Sequence, residues 1–87
     1  MASEQQHVEL VVELEPGADR DAVEAWLRRR GFDVMPLVVG LLATGDAAAV
    51  RAAFGAEPSG ALPPPQELRA LVRSVMVAPP KQLHGGA

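Results

Sequence analysis

The sequence predicts a small α+β domain in the order strand, helix, strand, strand, helix, strand, and three observations carry that prediction. Residues 7–14, HVELVVEL, alternate apolar and polar side chains, the period of a strand buried on one face. Two later stretches, AVEAWLRRRG and DAAAVRAAFG, repeat the offsets of a docked helix, with Val23, Trp26 and Leu27 in the first and Val50, Ala53 and Phe54 in the second. Each ends in a glycine, Gly31 and Gly55, so the chain reads as a duplicated unit with a strand on either side of each helix.

The elements follow in order. The first strand puts Val8, Leu10, Val12 and Leu14 on one face and His7, Glu9, Val11 and Glu13 on the other, so it covers a core on one side only. Pro16 and Gly17 turn the chain, Asp19 or Asp21 caps the first helix over residues 21–30, and Asp21 with Glu24 has capping-box spacing. FDVMPLVVGLLATGD is apolar but broken by Pro36 and Gly40, which predicts two strands, 32–37 and 41–44, joined by a turn. Asp46 then caps a second helix over 47–54. Residues 56–65, AEPSGALPPP, are expected to hold no regular structure. A short helical turn over 65–71 and a strand over 72–78 complete the set, and Pro79 and Pro80 stop that strand. Two right-handed crossovers of this kind give a ferredoxin-like βαββαβ fold, a four-stranded antiparallel sheet with both helices on one face. Residues 7–78 are expected to form the domain, with a short extension at 1–6 and a flexible tail at 79–87.

At 87 residues there is room for one domain with a barely sufficient core, and with no cysteine there is no disulfide or thiolate site to reinforce it. The first residues, MASEQQHVEL, lack the basic and apolar regions of a signal peptide, and no apolar run approaches membrane-spanning length. A soluble, cytoplasmic protein is expected. The net charge of −3 and the lack of a basic stripe interleaved with aromatics argue against nucleic acid as a partner. Arg28, Arg29 and Arg30, the one basic run, fall in the last turn of the first helix, where the helix dipole accounts for them.

Catalytic signatures are missing. His7 and His84 are the only histidines, His7 on the outer face of an edge-ward strand, and no acid or thiol stands at ligand spacing from either, so no metal is expected. None of Ser3, Ser59 and Ser74 lies in a nucleophile elbow. Glu13, Glu15, Asp19 and Asp21 cluster near the first turn, where capping and solvation explain them, and GLLATGD matches neither a P-loop nor a dinucleotide fingerprint. The chain is read as a non-enzyme without cofactors.

AVEAWLRRRGFDV, GLLATGDAAAVRAAFGAE and LPPPQELRALVRSV, in that order, resemble the activation prodomain of sedolisins, the serine-carboxyl peptidases that include kumamolisin. The likeness covers residues 19–77, its most specific part is the Ala53-Phe54-Gly55 ending, and subtilisin propeptides share the fold. Between that ending and the Leu-Pro element this chain has only AEPSGA, where the family usually has room for an extra hairpin. No catalytic domain is expected after Ala87. The resemblance therefore implies a prodomain-like fold standing alone, which would bind a subtilisin- or sedolisin-type serine protease as inhibitor or folding chaperone.

The alternative is a non-catalytic adaptor or assembly module that reuses the same fold and pairs through its sheet or an edge strand. A small-molecule sensor ranks below both, since no convergent polar pocket is legible. Under either leading reading partner-binding residues are expected on the outer face of the first strand, Glu9, Val11 and Glu13, with Leu37 or Met35 as neighbours of Val11; under the inhibitor reading the tail, Lys81, Gln82, Leu83 and His84, is expected to fill the protease cleft as well. Trp26, Phe32 and Phe54 are assigned to the core.

Overall fold

The computed structural model describes residues 7–78. The strands are β1 (His7–Leu14), β2 (Asp33–Pro36), β3 (Gly40–Asp46), β4 (Ala61–Leu62) and β5 (Val72–Val77); the helices are α1 (Arg20–Arg29) and α2 (Ala47–Phe54). A 3₁₀ turn at Gln66–Leu68 precedes β5. All strand pairings are antiparallel in one sheet ordered β2-β3-β1-β5-β4. Without β4 this is the ferredoxin-like order, so the expected α+β architecture holds with five strands in place of four.

The fifth strand overturns the expectation that residues 56–65 carry no regular structure. Gly60 adopts φ 62°, a left-handed conformation that L side chains rarely adopt. That turn brings Ala61 and Leu62 beside Met76 and Val75, and Leu62 is buried. The prolines at 63–65 then end the pairing, because proline has no N–H for a ladder. A second correction concerns β1, which is the central strand and not edge-ward, although His7 at its start is exposed. β3 also runs longer than predicted and reaches the cap of α2, while β2 is shorter than predicted.

One face of the sheet holds the core. Leu10 and Val12 of β1, Leu41 and Ala43 of β3, and Val72 and Val75 of β5 are buried against Val23, Trp26 and Leu27 of α1 and Val50 and Phe54 of α2. The core contains no polar or charged residue among those described. Trp26 and Phe32 both meet Phe54 edge to face, with ring centroids 6.0 and 6.2 Å away. Quadrupoles favour that geometry, so Phe54 links the two halves of the duplicated unit.

The helix ends are set by side chains close in sequence. Asp19, not Asp21, caps α1, accepting from the Ala22 N–H at 3.2 Å; the helix starts at Arg20, so Asp21 and Glu24 do not form the capping box. Glu24 instead accepts from Arg28 one turn on. Asp46 caps α2 as predicted, accepting from the Ala49 N–H at 2.8 Å, and Gly55 closes it at φ 69°.

Candidate functional site

Both helices lie against one face of the sheet, and none of the described elements covers the other. Alternation along each strand decides what points there. With Val8, Leu10 and Val12 buried, Glu9, Val11 and Glu13 face outward, as predicted. Register fixes their neighbours: Val11 stands beside Leu42 of β3 on one side and Met76 of β5 on the other. Leu42 in turn stands beside Met35 of β2, and Met76 beside Ala61 of β4. An apolar row, Met35-Leu42-Val11-Met76-Ala61, therefore crosses all five strands. At about 4.8 Å between neighbouring strands the row is about 19 Å long. Met35 is 59% exposed and Met76 46%, while Val11 and Leu42 are half-buried between them.

Of the two neighbours anticipated for Val11, Met35 lies in the row, separated from Val11 by Leu42. Leu37 does not; it closes the β2-β3 hairpin, its N–H donating to the Gly40 carbonyl at 2.8 Å. Leu42 and Met76 escaped the sequence reading. Both had a signal, since Leu41 with Leu42 and Val75 with Met76 are adjacent apolar pairs, and consecutive strand residues point to opposite faces. Lys81, Gln82, Leu83 and His84 lie outside the described residues.

Polar groups flank the row on both sides. Along one side run Asp33, Thr44 and Glu9, which pair in register. Along the other, Glu13 stands beside Ser74 and accepts from its hydroxyl at 3.2 Å. Arg73 is the one lysine or arginine in the five strands, exposed where the β1-β5 register shifts.

Past the strand ends on the Glu13 side of the row, the hairpin tip presents Val38, 97% exposed, and Val39, 61% exposed. Two β-branched residues are an unusual choice for a two-residue hairpin loop, where glycine and asparagine prevail. The tip is nonetheless held: Arg20, at the start of α1, donates to the carbonyls of Gly40 at 2.8 Å and Leu37 at 3.3 Å. Nothing in the sequence marked Arg20, because its partners are backbone atoms some twenty residues away.

The two sheet edges are closed to strand addition. Arg28 donates to the Val34 carbonyl at 3.2 Å, so the backbone groups of Val34, and by alternation those of Pro36, point away from β3. Pro36 has no N–H and the Val34 carbonyl is already taken, which leaves little for an incoming strand. At the opposite edge, β4 is two residues long and runs into three prolines. The basic run at the end of α1 is thus more than a solvated helix end: Arg28 blunts an edge, and Arg30 stacks over the Trp26 ring at 3.9 Å.

An open depression of about 330 Å³ lies at one end of the sheet, lined by His7, Gly31, Asp33, Thr44, Gly45 and Asp46. Asp46 is already engaged in capping α2, and among the described residues no group of three histidine or acidic side chains is arranged to hold a metal ion. Nor is any helix among them long and apolar enough to cross a membrane. Comparison of the chain with protein-family models, with curated proteins and with solved structures finds no match.

Proposed function

We propose that this chain is a non-catalytic protein-interaction module that docks a protein partner on the uncovered face of its sheet. The observation that supports this reading is the apolar row across five strands, opposite a face that two helices already cover. Contiguous exposed apolar surface of this kind, rimmed by polar groups, is characteristic of docking sites. Val11 is its centre, with Leu42 and Met76 on either side, and Glu9 and Glu13 lie to either side of it along β1. The prodomain resemblance names one class of partner to try first, a subtilisin- or sedolisin-type peptidase that the chain would inhibit or help to fold. In that form of the reading, Lys81, Gln82, Leu83 and His84 would enter the substrate cleft as extended chain.

Val11→Lys tests the docking face. Its side chain points away from the core, so far-ultraviolet circular dichroism should stay native. Proteins captured by the wild-type chain are identified, purified and titrated against both forms. A genuine partner should lose at least tenfold in affinity for the variant; equal binding would place the interface elsewhere. Micromolar inhibition of a subtilisin or a sedolisin by the wild-type chain, lost on deleting residues 81–87, would assign the peptidase partner, and no inhibition by either form would remove it.

A further inference from the structure

We propose that the segment the uncovered face accepts is a basic amphipathic helix, an assignment that rests on the docking reading above and specifies its partner. Backbone chemistry narrows the choice first. A segment laid on the face of a sheet meets side chains only, because the ladder has used the backbone groups of the inner strands. With both edges closed by Arg28, Pro36 and the prolines after β4, an extended peptide would find few partners for its own N–H and C=O groups. A helix bonds its own backbone and brings only side chains.

Shape narrows it further. The apolar surface is one residue wide and about 19 Å long, which is the length of a helix of about 13 residues at 1.5 Å per residue. One helical turn, about 5.4 Å, nearly matches the spacing between strands, so an i, i+3, i+4, i+7 stripe places one apolar side chain against each strand in turn. Met35 and Met76, the two methionines of residues 7–78, both sit in this row and none is in the core. Unbranched and polarisable, methionine adapts to whichever apolar side chains arrive.

Charge then selects the flanks. Glu9, Glu13 and Asp33 lie beside the row, with Arg73 the only lysine or arginine in the strands. A second copy stacked face to face would set these acids against their own counterparts without a compensating set of cations, which disfavours self-association. A helix with lysine or arginine on both sides of its apolar stripe meets them with opposite charge.

The test uses three synthetic peptides and the chain labelled with ¹³C at its methionine methyl groups, so that Met35 and Met76 report from two positions along the row. One peptide is a 14-residue leucine-lysine helix with leucines at i, i+3, i+4 spacing. The second is the same helix with glutamate for lysine, and the third is a leucine-lysine peptide of strict alternation that favours a strand. The lysine helix should shift both methyl signals and bind at least tenfold more tightly than its glutamate twin at low ionic strength, with the gap narrowing as salt is added. In the double variant Glu9→Lys, Glu13→Lys the preference should reverse. Equal binding of the two helices, or stronger shifts from the alternating peptide, would overturn the partner assignment while leaving Val11 to decide the docking face by its own experiment. Methyl shifts on dilution of the free chain, or on removing residues 79–87, would overturn it in favour of a second copy or of the chain's own end. Failure of all three peptides to move either methyl would overturn it outright.

Discussion

Gly40 and Gly45 of β3 both sit against close neighbours, but neighbours of unequal kinds. A methyl group on Gly40 would collide with the carbonyl of Val12, a backbone atom of the central strand that cannot move without disturbing the ladder. On Gly45 the same methyl would come within 2.6 and 2.8 Å of the Phe32 ring, a buried side chain whose torsions can still give where a paired backbone cannot. Gly40→Ala should therefore destabilise by about 3 kcal/mol or more and Gly45→Ala by about 1 to 2 kcal/mol, within the range for overpacking. Urea titration of both variants checks the order; equal losses would mean that the sheet yields as readily as the ring. Sequence reading placed Gly40 at a turn, which it adjoins, but could not see the strand it presses against. Close approach depends on pairing, and pairing joins residues far apart in the chain. The candidate site divides the same way. Val11 was legible, since its outward position follows from alternation within one strand. Its company of Leu42 and Met76 was not, because the register that assembles them is a property of three strands at once.

At the scale of elements, what was local was readable. β1 and α2 fall where alternation, the Asp46 cap and the Gly55 stop put them, because each of those signals lies within a few residues of the boundary it sets. β4 was invisible: two residues between a glycine and three prolines have no period to detect, and only the presence of β5 makes them a strand. Capping shows how unequal two similar signals become once packed. Asp46 bonds the Ala49 N–H at 2.8 Å in a partly buried position, whereas Asp19 bonds the Ala22 N–H at 3.2 Å in the open. Water can replace the second acceptor more readily than the first. Asp46→Ala should cost about 1 to 2 kcal/mol and Asp19→Ala about 0.5 kcal/mol, the two ends of the range for cap removal, with Asp46→Asn close to wild type. Thermal melts of the three variants test this, and an Asp19→Ala loss equal to that of Asp46→Ala would refute the ranking.

Over the whole molecule, stability is concentrated where the two halves of the duplicated unit meet. Trp26 belongs to the first half and packs edge to face on Phe54 of the second, its ring N–H donates to Glu67 of the 3₁₀ turn at 3.1 Å, and Arg30 lies over its ring. The single tryptophan therefore touches both halves and the segment that feeds β5. Since the buried residues form one cluster with no second core among those described, no half can keep its structure after that junction is lost. Truncation of a buried aromatic costs about 3 to 5 kcal/mol, comparable with the whole stability of a domain this small. Trp26→Ala should accordingly lose strand and helix signals together at 25 °C. Trp26→Phe, which keeps an aromatic edge for Phe54 and gives up the bond to Glu67, should remain folded and be weaker by about 1 to 2 kcal/mol. In the wild type, tryptophan fluorescence and far-ultraviolet circular dichroism should trace one urea transition with the same midpoint, as two-state unfolding of a single core requires. Separate midpoints, or a Trp26→Ala variant that retains half of its helical signal, would show that the two units fold independently. The sheet beneath the docking face would then not be one rigid surface, and the row from Met35 to Ala61 could not act as a single site.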